Sequence, residues 1–501
     1  MKKALLMGFV AAITIFGSCK KLNPQLYGSL NSQTFPKTTS DFDSYVAQAY
    51  EPFQSKWNFL DDGIASPCWF SPEYGQILEF DYGTDEMAVF TGWGGIFTDF
   101  SEADYTFLKS LPDQGDDHFE KTRTISRLTG MIQVINNSSL SADAKNEYIA
   151  ECRMSRGWNM YYLLQLYGPV PVILDPSKLD ATDEANLTRP QRADYVADIV
   201  SDLKFAAQYL PVMPGVYGKF NQGLALTVLM RTYMNEKDFT DAIPVGKLIL
   251  GLGYSLVNDY ASLFQSATEQ NSETMWAAIA EPGSNGQWQS PGFNAWDFYT
   301  YPSDYPGHMV TQPWAFAGDA AIAATWQFYN SFDPADKRRS LLIPSYINKS
   351  GQLVNQASGL SGPVIAKYPD DDPPAGSYQG NDIPAARLAD VMLMLAEAEN
   401  QVNGPTSEAI GYVNQVRAAH GGLGVVPSSA TTDKNTFDLW ILKEEGWELY
   451  FEGDRKMELI RHGQYNQALQ SVGKTPGPVL EPISYFDLAA GKGTLTQTPG
   501  Y

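Results

Sequence analysis

Apolar residues that recur every three or four positions predict helices over most of the chain. The first pattern begins at Ser40, whose hydroxyl is suited to cap a helix N-terminus. Further helices are predicted over 118–136, from Ser141 to Tyr167, and over 190–210. Gly168 and Pro169 end the second of these, because proline cannot continue a helix interior. The hydrophobic pattern therefore favours a helical protein.

Two stretches have the pattern of a helix, a short turn and a second helix. They are 221–250, with its turn at 235–238, and 385–419, with its turn at 403–405. Their small and large apolar residues alternate as in a tetratricopeptide unit. Such pairs cannot bury their apolar faces alone, so they stack. The predicted fold class is therefore all-α, with tetratricopeptide-like helix pairs as a scaffold over about 40–57, 118–265 and 385–465.

The stretch 441–463, ILKEEGWELYFEGDRKMELIRHG, predicts one more helix pair, interrupted near Gly453. Glu445, Glu448, Glu452 and Arg455 follow at steps of three and four and so share one helix face. Carboxylates beside an arginine can form an acid/base site. The favoured interpretation is a helix–break–helix whose charges pair locally, since such steps are common on helix surfaces.

Two loop-rich segments, 58–117 and 281–384, interrupt the helices. Between positions 281 and 332, 13 of 52 residues are Phe, Trp or Tyr, and many glycines and prolines lie among them. Aromatic residues on such loops are hard to bury, so we expect some to face solvent. This long excursion from the scaffold is the predicted ligand-binding part of the chain.

A flat indole or phenol face can cover the C–H face of a sugar ring, while amides and carboxylates bond its hydroxyls. Trp93 is the strongest single candidate, because neighbouring glycines would leave its indole uncovered. For any one aromatic, ordinary core packing is the alternative. The predicted glycan-binding residues are Trp93, Trp288, Trp296, Tyr299, Tyr301 and Trp314, with Asn294 and Asp297 for the hydroxyls.

The N-terminus has the pattern of an export signal. Lys2 and Lys3 precede an apolar run over 5–16, which is too short to span a bilayer as a helix. Cys19 directly follows Gly17 and Ser18, and this order resembles the lipobox of bacterial lipoproteins. We expect residues 1–18 to be a signal peptide and 19–39 a tether, lipidated at Cys19 and anchored in membrane lipid.

Charge and motifs exclude several function classes. The chain has 35 Lys and Arg against 57 Asp and Glu, a net charge of −22, which argues against nucleic acid as a partner. Its four histidines lie far apart and form no metal-ligand spacing, and nucleotide and nucleophile motifs are missing. We therefore predict no cofactor, metal or catalytic residue. A two-carboxylate glycosidase site stays open, because carboxylates are numerous.

Two smaller features leave alternatives open. The run 370–372 of three aspartates could hold calcium, but a solvated loop is favoured. Cys68 and Cys152 could pair in an exported protein, yet Cys152 lies within a helical pattern, and we predict no disulfide.

The order of these segments resembles the SusD-like (RagB/SusD) family of Bacteroidetes outer-membrane lipoproteins. The stretch 151–172 is similar to the family's Glu, Arg, paired aromatics and Tyr-Gly-x-x-Pro pattern, and 202–211 to its next helix with a Leu-Pro end. Gly446 and Trp447 stand where the family often has Arg, and His462 where Trp is common. The other matching residues are Arg387, Ala389, Asp390, Val391, Ala396–Ala398, Asn414, Val416, Arg417, Glu445, Glu448, Leu449, Glu452, Gly453, Arg455, Leu459, Arg461, Gly463 and the C-terminal 499–501.

The resemblance implies one SusD-like domain over 40–501 with a glycan-binding face made by loops around Trp93 and 288–314. It further implies a non-catalytic protein at the cell surface that presents oligosaccharide or polysaccharide to a SusC-like TonB-dependent outer-membrane transporter. Two alternatives remain at this point: a surface glycoside hydrolase, and a protein-binding scaffold whose helix pairs are the functional surface.

Overall fold

The computed structural model describes residues 35–55, 67–72, 74–89, 96–110, 118–179, 188–281, 292, 294–307, 322–370 and 379–501. The chain divides into two units, Met1–Tyr45 and Val46–Tyr501. In the first unit, the carboxylate of Asp41 accepts hydrogen bonds from the backbone N–H groups of Lys37 and Thr38, both at 2.9 Å.

The described residues are mostly helical, which confirms the predicted fold class. The α-helices are α1 Thr39–Val46, α2 Ile96–Ser101, α3 Lys121–Asn136, α4 Ala142–Tyr167, α5 Arg192–Tyr209, α6 Gln222–Asn235, α7 Phe239–Leu250, α8 Trp296–Thr300, α9 Trp326–Ser331, α10 Leu388–Asn403, α11 Ser407–Val416, α12 Lys434–Leu449, α13 Arg455–Arg461, α14 Tyr465–Ser471 and α15 Tyr485–Ala490. Two π-helical turns, Leu78–Tyr82 and Arg417–Gly421, and several 3-10 turns join them.

The strands are short and form four antiparallel pairs within the described residues. They are β1 Met87–Val89 with β3 Ile322–Ala324, β2 Thr274–Ala278 with β8 Ile383–Arg387, β4 Leu342–Ile343 with β7 Val364–Ile365, and β5 Ser345–Ile347 with β6 Leu353–Asn355.

The long helices stack in sequence as the predicted scaffold. α3 packs on α4, α4 on α5, α5 on α6 and α6 on α7, and α10 then joins α7 to α11 and α12. Capping side chains fix the starts of these helices: Ser141 accepts from the N–H of Ala144, and Asn221 accepts from the N–H of Leu224 at 2.9 Å. The α7–α10 contact is close, because a Cβ added at Gly246 would lie 2.6 Å from Cγ of Leu395.

Some predicted boundaries are wrong. The second helix pair does not begin at position 385, because 383–387 is strand β8 and helix α10 begins at Leu388. The helix predicted from Pro190 begins at Arg192, after a cap at Gln191. Among the described residues, Cys68 and Cys152 are buried thiols rather than a disulfide, and Cys68 Sγ donates to the carbonyl of Glu51.

The carboxylates of the stretch 441–463 lie inside the protein, so the predicted pairing on a helix surface is wrong. Glu444, Glu445 and Glu448 of α12 have no exposed surface. Two of them find partners in distant parts of the chain: Arg387 donates to Glu448 at 2.9 Å, and Arg338 donates to Glu444 at 2.7 Å. Glu445 is paired within the stretch, where Arg461 donates to it at 3.1 Å. Charged residues at this spacing are common on helix surfaces, but here the face of α12 that carries them packs into the core.

Around Glu448 these side chains form what we call the interior ion network. His420 joins it through both ring nitrogens, Nδ1 at 2.8 Å from Glu448 and Nε2 at 3.0 Å from Glu273. Burial disfavours the imidazolium, but the two carboxylates outweigh burial and raise the pKa of His420 to about 9. Protonated His420 balances the charges of the network, whose members are Asp336, Glu273, Glu444, Glu448 and Glu452 with Arg338, Lys367, Arg387, Arg417 and His420.

This network is structural rather than catalytic in its geometry. Each carboxylate is paired with a cation, and the side chains have almost no exposed surface. A substrate could not reach them without opening the core. The acid/base interpretation of the stretch 441–463 therefore finds no support, and the network ties α12 to β2, β8 and the turn after α11.

Candidate functional site

The predicted glycan-binding residues divide into those the structure describes and those it does not. Trp93, Trp288 and Trp314 lie outside the described residues, as does the lipidation site Cys19. Trp296, Tyr299, Tyr301, Asn294 and Asp297 are described. Of the 370–372 aspartate run, only Asp370 is described.

Trp296 and Tyr299 belong to the core. Trp296 is 1% exposed and packs edge-on against Phe451 with ring centroids 4.9 Å apart. Tyr299 is 0% exposed and meets Phe97 edge-on at 5.7 Å. Both lie on the five-residue helix α8, too short for apolar spacing to show which face is buried. Their burial does not support direct contact with a sugar.

Asn294 and Asp297 are also buried, and they organise the backbone around α8. Asn294 donates from its side chain to the carbonyl of Asn381 at 3.1 Å and accepts from the N–H of Trp296 at 2.9 Å. Asp297 accepts from the N–H of Phe298 at 2.8 Å. The side chains of Asn294 and Asp297 therefore form hydrogen bonds within the protein rather than facing a ligand.

Two half-buried tyrosines, Tyr301 and Tyr305, follow α8 and lie near the buried Tyr346 of β5. Tyr301 and Tyr305 meet at 5.1 Å between ring centroids, and Tyr305 meets Tyr346 at 4.9 Å. Asp304 accepts from the hydroxyl of Tyr346 at 2.8 Å and from Asn348 at 3.2 Å. The carboxylate of Asp304 is thus bonded to protein partners, and the half-buried rings of Tyr301 and Tyr305 are what this group offers to the C–H face of a sugar. Of these residues, the sequence singled out Tyr301 alone.

The described residues also show where the segments bearing the undescribed tryptophans begin and end. Residues 90–95 carry Trp93 and follow β1, while residues 308–321 carry Trp314 and precede β3. Val89, the last residue of β1, pairs with Ile322, the first residue of β3. The two segments, more than 200 positions apart in sequence, therefore join the same end of one two-stranded sheet.

The segment that carries Trp288 is closed by a similar pairing. Residues 282–291 connect Glu281 to Gly292, and the N–H of Glu281 donates to the carbonyl of Gly292 at 2.8 Å. The N–H of Gly292 in turn donates to the carbonyl of Ser55 at 2.8 Å. Ser55 is the last described residue before the 56–66 segment, so the two segments start from adjacent backbone.

Asp297 holds both ends of the segment 371–378. Its Oδ2 accepts from the side chain of Gln379 at 2.9 Å, and its carboxyl interacts with that of Asp370. Burial first, and then the Asp370 charge, raises the pKa of Asp297 well above its usual value. The backbone adds a bridge in which Asn294 and Gln379 exchange two hydrogen bonds of 2.8 Å.

Helix α8 contacts several of these anchors; we call α8 with β1, β3, Gly292 and Gln379 the loop platform. Phe97, which follows the Trp93 segment, packs on Tyr299 of α8, and α8 also packs on β3. Strand register and tertiary pairing create this convergence, so no local sequence signal could have revealed it. The aromatic content of the excursion was the one visible hint.

This architecture, a stack of helix pairs that supports a platform of aromatic loops, defines the class of protein. The family model described as the SusD family matches residues 326–481, and the model described as "Starch-binding associating with outer membrane" matches residues 121–234. The chain belongs to the SusD-like family.

Individual relatives agree with this assignment. A SusD-like protein of Formosa agariphila is 26% identical over 365 residues, which is 66% of this chain and 66% of that protein. Another from the same organism is 23% identical over the full length of both. A SusD-like protein of Bacteroides ovatus is 26% identical over 322 residues, covering 57% of this chain and 55% of that relative.

Solved structures share the fold. Surface glycan-binding protein A from Bacteroides thetaiotaomicron, in complex with laminarihexaose, has a TM-score of 0.74 at 16% identity, covering 93% of this chain and 100% of that one. A laminarin-binding SusD-like protein has a TM-score of 0.72 at 20% identity, with the same coverage. Within the described part of the chain, no helix has the length and apolarity needed to cross a membrane.

Proposed function

We propose that this protein captures oligosaccharide or polysaccharide at the cell surface with the aromatic segments that begin and end at the loop platform. The observation that carries the proposal is the pairing of Val89 with Ile322, which joins the Trp93 and Trp314 segments to one sheet end. A glycan site needs several aromatic faces within one or two sugar rings of each other. The anchoring of both tryptophan segments at one sheet end supports the proposal, because it brings together the starting points of segments that are far apart in sequence.

The buried residues of the platform have a supporting role in this proposal. Trp296 and Tyr299 fill the core of the loop platform, while Asn294 and Asp297 bind residues at the ends of the 371–378 segment. The ligand-contacting group consists of Trp93, Trp288 and Trp314, together with Tyr301 and its half-buried neighbour Tyr305. A rigid platform lowers the ordering cost that loops otherwise incur when they bind a ligand.

We further propose that the protein is non-catalytic and that it passes glycan to a SusC-like TonB-dependent transporter, held in the outer membrane by a lipid on Cys19. The absence of catalysis is supported by the interior ion network, in which the most concentrated carboxylates of the described residues are sealed from substrate. The membrane location is supported by the description of the family model that matches residues 121–234.

Native gels that contain single polysaccharides, combined with a reducing-end assay, test the binding function. The proposal predicts that at least one neutral polysaccharide retards the protein and that no new reducing ends appear. Release of reducing ends would instead show a surface glycoside hydrolase. A failure of every glycan in a broad panel to retard the protein would favour the protein-binding scaffold.

The transporter role has its own test. Outer membranes solubilised in mild detergent should yield a complex of this chain with a large β-barrel protein. Cys19→Ala should release the protein from the membrane fraction, while the soluble variant should keep its glycan retardation. Recovery of the wild-type lipoprotein as a monomer under all detergents would contradict delivery to a transporter.

A further inference from the structure

Two buried histidines of the C-terminal scaffold have similar neighbours and different geometry. His420 and His462 each lie among carboxylates, with Glu273 and Glu448 around the first and with Glu397 and Glu445 around the second. His420 makes two well-directed hydrogen bonds, as described above. His462 makes none: Nδ1 and Nε2 are both buried without a hydrogen-bond partner.

The distances around His462 are those of ligands around a shared centre. Its Nε2 lies 3.2 Å from Oε2 of Glu445 and 3.4 Å from Oε2 of Glu397. These contacts fall within ion-pair range, but their directions do not suit hydrogen bonds, and Oε2 of Glu445 is likewise buried without a partner. Ligands held tetrahedrally by zinc at about 2.0–2.1 Å are about 3.3–3.5 Å from one another.

From this geometry we propose that Glu397, Glu445 and His462 bind a divalent transition-metal ion, with zinc the best match to one imidazole and two carboxylates. The side chains come from α10, from α12 and from the residue after α13. A metal there would join three helices of the scaffold. A water molecule or a second carboxylate oxygen would complete the coordination.

Polar side chains that contact these three residues are placed to hold them in position. Oδ2 of Asp438 lies 2.9 Å from Nδ1 of His462, an ion-pair contact whose direction does not suit a hydrogen bond, on the side from which a carboxylate supports a metal-bound imidazole. Gln401 in turn donates to Oδ1 of Asp438 at 2.6 Å. Arg461 donates to Glu397 at 2.7 Å and to Glu445 at 3.1 Å, which orients both carboxylates.

Charge balance also favours a dication. The carboxylates of Glu397 and Glu445 pair with one guanidinium, that of Arg461, and the partly exposed carboxylate of Asp438 lies against His462, so the three carboxylates around the site have a single arginine among their ion-pair partners. A dication beside a neutral imidazole completes the balance, whereas an imidazolium leaves one negative charge uncompensated. Uncompensated charge in a protein interior is costly. The interior ion network, by contrast, is balanced by His420 without any metal.

Metal analysis of the tag-free full-length protein, purified without chelators, tests the proposal. Elemental mass spectrometry should find one transition-metal ion per chain in the wild type. His462→Gln should lose the metal, and the matched control His420→Gln should keep it. Because His462→Gln removes a buried group and its folding is at risk, wild-type protein supplies a second measurement.

In that measurement, wild-type protein is unfolded and refolded with EDTA, and zinc alone is then added. The unfolding midpoint should fall after EDTA and return with zinc, because a metal that binds only the native state stabilises it. Refolding with cobalt should give visible absorption bands typical of tetrahedral coordination. Wild-type protein that carries no metal and shows no response to zinc would overturn the proposal, as would equal loss of metal in the two histidine variants.

Discussion

Arg387 and Glu448 lie 2.9 Å apart in the protein interior, although 61 positions separate them in sequence. Arg387 also donates to Glu452 at 2.7 Å and to Glu273 at 3.0 Å, so one guanidinium is hydrogen-bonded to three carboxylates. Arg387, Glu448 and Glu452 are among the residues that carry the family resemblance. The structure gives a physical reason for the pattern: the charges hold the end of β8 against α12.

Removal of Arg387 should therefore destabilise the protein strongly. Arg387→Met removes one of the five cations of the interior ion network and so leaves one buried negative charge uncompensated, which costs about 3–5 kcal/mol. The control is Arg192→Met, which breaks a short but half-exposed ion pair with Glu236 and should cost less than about 1 kcal/mol. Urea unfolding followed by circular dichroism measures both free energies. Similar losses of unfolding free energy in the two variants would contradict the claim that the interior ion network stabilises the protein.

His420 should make stability depend on pH. Its folded pKa of about 9 lies above the value of about 6.5 expected in the unfolded chain. The stabilisation that its charge provides is therefore fully present below pH 6.5 and is lost as pH rises to about 9. The difference in unfolding free energy between wild type and His420→Gln should shrink by about 3 kcal/mol over this interval. A difference that stays constant from pH 6 to pH 9.5 would show that His420 is neutral in the native state.

Two glycines on scaffold helices should respond to alanine in opposite directions. At Gly246 of α7 a Cβ would lie 2.6 Å from Leu395 of α10, so Gly246→Ala should destabilise the protein by forcing the helices apart, at about 1–3 kcal/mol. At Gly411 of α11 nothing lies within 4 Å, so Gly411→Ala should stabilise by up to about 1 kcal/mol through helix propensity. Thermal unfolding of both variants compares them directly. A gain in stability at Gly246 would mean that α7 and α10 are not in close contact.

The scaffold could be predicted from sequence because its signals are local. Ser141 predicts a helix start, the turn at 403–405 predicts a helix end, and the periodicity of apolar residues predicts the helices themselves. The burial of Glu448 could not be predicted, because helical steps of charge look the same on a surface and against a buried arginine. Strand β8 was missed for a related reason: its five residues pass directly into α10, and both elements are apolar.

The candidate site was predictable in part. The excess of aromatic residues on Gly- and Pro-rich segments indicates the region, and the loop platform lies there. Which rings are buried depends on tertiary packing, and so Trp296 looked like a ligand residue although it fills the core. The joint anchoring of segments at Val89 and Ile322 depends on strand register between distant parts of the chain, which a single sequence does not display.

Trp296 should accordingly matter for stability. Trp296→Ala removes a buried indole beside Phe451 and should cost about 3–5 kcal/mol. Tyr485→Ala is the control, because Tyr485 is 61% exposed and should change stability by less than about 0.5 kcal/mol. Differential scanning calorimetry gives both values. An unchanged unfolding transition in Trp296→Ala would contradict a core role for Trp296 and would favour contact with the ligand.

Glycan retardation by a variant that lacks both Trp93 and Trp314 tests the central claim most directly. The claim is that segments anchored at one sheet end form a single glycan-binding face. With the polysaccharide that retards the wild type most, the variant Trp93→Ala/Trp314→Ala should lose at least roughly tenfold in affinity, the effect of about 1.4 kcal/mol of lost stacking. Its unfolding midpoint should stay unchanged, and Tyr485→Ala should bind as the wild type does. Wild-type affinity in the folded double variant would contradict the account.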